Sequence, residues 1–450
     1  MFKTLKNAWK IPELKKKLLF TLLIIVLYRV GTNIPVPYVS SDLQASLMQQ
    51  FGGTILDFLN VLSGGAMAQA TLLALGVSPY ITASIVMQLL TIAIPALERL
   101  SKQGDEGKKK INAITRIVTV ALALITGIGY ARLLDTTPGM LVTKLNFFQY
   151  TVMVACYCAG AALVMWMAEK INESGIGNGI SIILFANIVA GTFTTVVGMW
   201  DQMFSPLDGS FDWVGMVISL AEVIGLTAMI MMIVWMSDAE RRIPIQYAKR
   251  VVGRKMYGGQ NTNLPLKVNM SGVMPIIFAN SIVAIPATIT LMFMYGKNNW
   301  FTRFIDKWFE QDTWPYIIVF LILLLLYAFF YIAISFNPVE VANNIKSNGG
   351  AIPGIRSGRP TVEFIKKVLN RVTLVGALLV AVIAVVPMVA NKIALYFPRF
   401  QPIEGVSAGG LGAAIAFGGS SIMIVVGVAL ETVRELEAQM TLRNYKGFLD

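Results

Sequence analysis

Apolar runs of nearly bilayer-spanning length recur along this chain and leave it few ways to fold. A helix rises 1.5 Å per residue, so about 20 apolar residues cross roughly 30 Å of hydrocarbon. Ten such runs can be read, approximately Leu18 to Ile34, Ala74 to Pro95, Ala113 to Leu134, Gln149 to Ala168, Gly179 to Trp200, Trp213 to Ser237, Gly272 to Met294, Pro315 to Ile334, Val372 to Leu395 and Gly409 to Leu430. With 56% of its 450 residues hydrophobic and 14% charged, the chain cannot be a soluble domain. The sequence predicts an all-α polytopic membrane protein.

An even number of spans places both termini on one side. Of the 37 Lys and Arg residues, 28 lie in the amino-terminal arm, the even-numbered loops and the tail, against 7 toward the opposite face, five in its loops and Arg132 and Lys392 in the last turn of the runs leading to it. Cationic loops are retained inside, so both termini are expected to be cytoplasmic. Lys15, Lys16 and Lys17 precede the first run as in a signal peptide, but no small-residue cleavage site follows, and the run is expected to be retained. The chain contains no histidine, which excludes a His-ligated metal, a His general base and a Ser-His-Asp triad. Cys156 and Cys158 sit two apart in one predicted helix and face different directions, unsuited to a disulfide.

Within this pattern one phrase appears twice. Gly76, Val77 and Pro79 open the second run, and Gly272, Val273 and Pro275 open the seventh, with Ile81 matching Ile277 and Ala83 matching Ala279. Gly and Pro at corresponding places in two parts of a membrane protein point to interrupted helices around a central pathway. Two halves of five spans, 1–205 and 206–450, would start from opposite sides of the membrane. That is an inverted repeat.

Several local features carry weight. The segment Gly31 to Leu73 holds no Lys or Arg and encloses Thr54 to Leu62, where Ile55, Leu56, Phe58, Leu59 and Leu62 recur at helical spacing before the stop at Gly64 and Gly65. This helix is too short to span, so it either re-enters the protein or rests on the outer surface. The cytoplasmic loops Asp238 to Ser271 and Ser335 to Arg371 are long, basic and marked by Gly258-Gly259, Gly349-Gly350 and Pro353-Gly354 turns. They read as ordered protrusions suited to a large acidic partner, or else as topology signals attracted to anionic lipid. Gly175, Gly177 and Gly179 have no preceding strand, and no Walker sequence exists, so any work is powered elsewhere. Glu222 is the one acid well inside a run, expected to serve helix packing or a wet cavity. Arg29, near the outer end of the first run, can snorkel.

The motifs Gly76-Val-Ser-Pro-Tyr-Ile-Thr-Ala-Ser, Gly175-Ile-Gly-Asn-Gly-Ile-Ser-Ile, Tyr247-Ala-Lys-Arg, Leu264-Pro-Leu-Lys-Val-Asn, Phe336-Asn-Pro, Ile352-Pro-Gly-Ile-Arg and Phe417-Gly-Gly-Ser-Ser together resemble the SecY family, the channel subunits of the bacterial Sec translocon. They cover essentially the whole chain. Asn263 stands where relatives often have His, and Ser357 where they often have Pro.

The resemblance implies a clamshell of two pseudo-symmetric five-helix halves in the bacterial inner membrane. It places Val77, Ile81, Ile180, Leu184, Ile277 and Ile424 in a central aliphatic ring, although aliphatic residues of a membrane helix usually face lipid. Val77 and Leu184 vary a ring commonly rich in Ile. Thr54 to Gly65 would be a plug, and Ser84, Gln88 and Asn280 polar members of a lateral gate between spans two and three and spans seven and eight. Lys249, Arg250, Arg254 and Arg356 would contact the ribosome and the motor ATPase SecA. Further implied partners are SecE, SecG, signal sequences, unfolded polypeptides and anionic lipids, with no cofactor and no enzymatic activity. A rival reading is a secondary transporter of a small solute, which would need a polar midplane site where only Glu222 is offered. A membrane-embedded enzyme finds no histidine or clustered acids.

Overall fold

The computed structural model describes residues 2–40, 55–136, 141, 146–204, 213–247, 250–252, 255–257, 261–293, 299–309, 313–394 and 419–446, with side chains at 55–58, 192–204, 213–219, 221–222, 250–261 and shorter stretches left aside. A helix overlaps each of the ten apolar runs: Pro12–Gly31, Ser78–Ala93, Asp105–Thr136, Phe147–Ser174, Gly179–Phe204, Trp213–Asp238, Met274–Phe293, Trp314–Ser335, Arg359–Ala394 and Gly419–Lys446, the first ten residues of the last run lying outside the described residues. By length and composition, and among the described residues, four of these can cross a bilayer: those beginning at Asp105, Phe147, Trp314 and Arg359. A fifth span arises if Ser78–Ala93 and Pro95–Ser101, bent by 105°, count as one. The bend follows from sequence. Ile94 precedes Pro95, whose ring disfavours the helical region for its predecessor, and Ile94 accordingly adopts φ −107, ψ 112.

The two copies of the repeated phrase adopt the same local geometry. Gly76 and Gly272 take left-handed backbone, φ 53 and 63, where a side chain would be strained. Each is followed by a buried Val, and the amides of Ile81 and Ile277 donate to the carbonyls of Val77 and Val273, at 3.0 and 3.3 Å. Pro79 sits in the first turn, where its missing N–H costs nothing. Ala83 and Ala279 are both fully buried.

The fold is not wholly helical, which corrects the all-α expectation. Strand β1 (Glu240–Tyr247) pairs antiparallel with β4 (Asn261–Lys267) and with β5 (Gly350–Ala351). A smaller hairpin joins β2 (Arg250–Val252) to β3 (Lys255–Tyr257). In β1 the alternation places Ile243 and Ile245 inward and Arg242, Pro244 and Gln246 outward. These two isoleucines, Leu266, Ala342, Ile345, Ile352 and Ile365 form a separate core. The two long loops are ordered over their described residues, as their turn signals suggested, and they fold together into one lobe, which was not expected. Gly349 and Gly354 have positive φ, whereas Gly258 and Gly259 lie outside the described residues.

The two ends of the chain pack on each other. Helix Phe2–Lys10 lies against Gly419–Lys446, with Thr4 donating to Glu437 at 3.0 Å and Lys17 to Gln439 at 3.3 Å, over an apolar contact of Ala8, Leu14, Ile176 and Leu436. Arg434 donates to the Ser237 carbonyl at 2.7 Å and pairs with Asp238 at 2.6 Å, capping the end of Trp213–Asp238.

Candidate functional site

The predicted aliphatic residues, carried by four helices, fall within the largest apolar core among the described residues. Val77, Ile81, Leu184, Ile277 and Ile424 are all 5% exposed or less and belong to one apolar cluster, with Ile180 half-buried against it. None of the five buried residues faces out of the bundle, unlike Leu22, Val26 or Ile322, which are more than 45% exposed. Helix Met274–Phe293 touches both Ser78–Ala93 and Gly419–Lys446, and Gly419–Lys446 touches Gly179–Phe204. Small residues allow the close approach. Ser420 and Ser421, just before Ile424, are buried, and a Cβ at Gly419 would lie 2.0 Å from the Ile383 carbonyl oxygen.

The Gly-rich run serves packing of the same region. A Cβ at Gly179 would fall 2.0 Å from the Ala168 oxygen. The amides around it are already used: Gly179 donates to Asn172 Oδ1 at 2.7 Å, Ile180 to Asn178 Oδ1 at 3.1 Å and Ile176 to Thr21 Oγ1 at 3.2 Å. This turn seats the helix that carries Ile180 and Leu184.

The short helix spans Ile55–Ser63 and packs against Ser78–Ala93, Gly179–Phe204 and Met274–Phe293. Leu62 joins the same cluster as Ile81 and Ile277, and Leu59 packs against a second core around Tyr130 and Tyr157. Its carboxyl end is therefore lodged among the helices. The side chains of Ile55, Leu56 and Phe58 lie outside the described residues.

Of the polar seam candidates, Ser84 and Gln88 are half-buried and share a 3.3 Å hydrogen bond along one helix face, Gln88 donating. Asn280 is 4% exposed, and its Nδ2 has no partner among the described residues. Its helix lies against both Ser78–Ala93 and Asp105–Thr136. Arg356 is exposed in a tight turn, with Ile352 buried beneath and the Arg356 carbonyl accepting from Thr361 Oγ1 at 3.0 Å. The Arg250 side chain, Lys249 and Arg254 lie outside the described residues, as does the Glu222 side chain.

Arg29 departs from expectation. Instead of snorkelling outward, it turns into the protein, Nη1 donating to the Gly64 carbonyl at 3.1 Å and Nη2 to the Ala186 carbonyl at 3.2 Å. A guanidinium held among helices satisfies its donors there rather than in solvent. Beside it, fully buried Asn187 donates through Nδ2 to the Leu62 carbonyl at 2.6 Å and to Tyr28 Oη at 2.9 Å, and Tyr28 donates to the Ser63 carbonyl at 3.4 Å. Sequence reading missed Tyr28 and Asn187. The available signal was an Asn, with strong amide donors, isolated in the apolar stretch Ile180 to Val189.

Comparison with known proteins gives a consistent picture. A SecY family model matches residues 71–433. The chain is 44% identical to the protein translocase subunit SecY of Streptomyces coelicolor, covering 100% of both chains, and 40% identical to that of Corynebacterium glutamicum, covering 98% of this chain and 99% of the relative. Among solved structures, one described as a protein conducting channel aligns with TM-score 0.64 at 18% identity, covering 96% of each chain. Sec61 in the canine ribosome-channel complex from the endoplasmic reticulum aligns with TM-score 0.62 at 16% identity, again over 96% of each. At that identity the likeness is one of fold.

Proposed function

The chain belongs to the SecY family, and from that membership we propose how it works. It is a protein-conducting channel in a membrane, passing unfolded secretory polypeptides across and releasing apolar segments sideways into the bilayer. The membrane is the bacterial cytoplasmic one, with both termini on the cytoplasmic face; the packing of the terminal helices on each other supports a shared side. Ten spans form two inverted halves, 1–205 and 206–450, and the matched geometry at Gly76 and Gly272 supports this division.

The burial of Val77, Ile81, Leu184, Ile277 and Ile424 in one apolar core, on helices that touch one another, supports the mechanism best. Together with Ile180 they form the constriction. Aliphatic side chains offer nothing to replace an ion's hydration shell, so a narrow apolar ring resists ions by dewetting. The same ring yields around an extended chain without specific contacts. Helix Ile55–Ser63 closes the passage as a plug from the outer side, and the seam between the helices bearing Ser84, Gln88 and Asn280 is the lateral gate. An apolar segment gains about 0.3 to 0.6 kcal/mol per Leu-like residue on entering lipid, so sideways exit is downhill.

Forward movement has no such drive. SecA or a translating ribosome supplies it, docking on the lobe that presents Arg356, Lys249, Arg250 and Arg254, while SecE and SecG complete the complex and anionic lipids attend its basic face. The test is reconstitution. The chain in vesicles with SecE and SecA should carry an unfolded secretory protein to a protease-protected interior; uptake of a small solute without protein import would overturn the reading.

A further inference from the structure

The end of the short helix is held by a device that the channel reading does not itself require. Every helix leaves its last carbonyls without intrahelical partners, and they carry the negative end of the helix dipole. Here three consecutive carbonyls are taken by side chains of two other helices. The Leu62 oxygen accepts from Asn187, the Ser63 oxygen from Tyr28 and the Gly64 oxygen from Arg29. A cation thus sits against the end where it is most favoured. Tyr28 and Asn187 are fully buried, and Arg29 makes its second bond to Ala186, one residue from Asn187.

Glycine makes this contact possible. Gly64 has φ +69, and a Cβ there would lie 2.8 Å from Asn187 Oδ1 and 2.9 Å from Arg29 Nη1. On the far side of the turn, the Ala68 amide donates to Asn60 Oδ1 at 2.8 Å and the Met67 amide to Ser63 Oγ at 3.1 Å. The segment 60–68 is therefore braced within itself and tied to its surroundings through this polar cluster and, separately, through the Met67 carbonyl, which accepts from Tyr130 Oη.

We propose that Tyr28, Arg29 and Asn187 are positioning residues forming a latch on the carboxyl end of helix Ile55–Ser63, which sets how firmly the passage is held closed. Displacing the helix takes from the guanidinium its Gly64 acceptor, from the carboxamide its Leu62 acceptor and from the Tyr28 hydroxyl its Ser63 acceptor, leaving only the bonds to Ala186 and between Asn187 and Tyr28, a cost that falls on opening alone. Apolar contacts of Leu62 slide and re-form with little directional preference; the three hydrogen bonds do not. This inference rests on the reading of that helix as the plug.

The experiment measures hydrogen exchange of the full chain in lipid nanodiscs, with ion conductance in planar bilayers as a second readout. Asn187→Leu and Arg29→Gln should each raise exchange of the 60–68 amides by about tenfold or more, the scale of one lost buried hydrogen bond, while residues 150–171 keep their protection. Both should also raise resting conductance. Arg29→Lys, which retains charge and a donor, should restore much of the protection. Gly64→Ala attacks the same contact from the other partner and gives the result if Asn187→Leu does not fold. Unchanged exchange at 60–68 in the folded variants overturns the latch. Faster exchange without added conductance overturns its role in closure, and a control lacking residues 55–62 locates the fault. If the control also fails to leak, the plug reading is what has failed.

Discussion

Ile81 and Ile277 occupy equivalent places in two copies of one phrase and are buried in the same apolar core on helices that touch, each with its amide bonded to the carbonyl of the Val four residues before it. They are 3% and 5% exposed. An asparagine at either site puts an amide where no partner exists and gives water a foothold. Ile81→Asn and Ile277→Asn should each raise ion conductance across planar bilayers, and the double variant should leak more than either. Bilayers as tight as with the unaltered chain would count against the seal.

The two glycines of the phrase should differ in tolerance. A Cβ at Gly76 meets the Ser63 Cα at 3.3 Å, whereas at Gly272 nothing lies within 4 Å. Both substitutions to Ala incur the left-handed backbone penalty of about 1–2 kcal/mol. Gly76→Ala should lower the midpoint of thermal unfolding in detergent further than Gly272→Ala, because only the first also presses on the short helix.

Charge reversal at Arg356 should separate docking from folding. The side chain is exposed while the turn rests on buried Ile352. Arg356→Glu should impair SecA-driven import into vesicles and leave expression and thermal unfolding unchanged. Normal import would refute the assigned contact.

The lobe formed by the two long loops has its own small core, so it should be separately breakable. Ile345 is 7% exposed among Ile243, Ile245 and Ile365. Ile345→Ala should cost about 2–5 kcal/mol of lobe stability. Limited proteolysis should then cut between residues 238 and 371 faster while the membrane helices stay resistant.

How much of this was legible beforehand varied with the physics involved. Helices were readable because lipid forces apolar runs of fixed length; the bend after Ala93 was not read, although Pro95 constrains Ile94. The lobe's turns were visible in Gly349 and Gly354, but its sheet was not inferred, although Ile243 and Ile245 alternate with Arg242, Pro244 and Gln246 over a stretch long enough to signal a strand. The ring residues could be picked out only by resemblance, since burial in a membrane bundle and exposure to lipid select the same side chains. Arg29 and Asn187 stayed hidden for another reason. Their partners are backbone carbonyls of Leu62 and Gly64, and a carbonyl leaves no mark in a sequence.

The most direct test of the account places a photocrosslinker at Ile81 and, separately, at Ile277, and traps a secretory chain midway through export. Both sites should capture the trapped chain, while a probe at Ile322, 55% exposed on the outside of the helix bundle, should not. Capture at Ile322 with none at Ile81 or Ile277 would place the path outside this cluster and contradict the account.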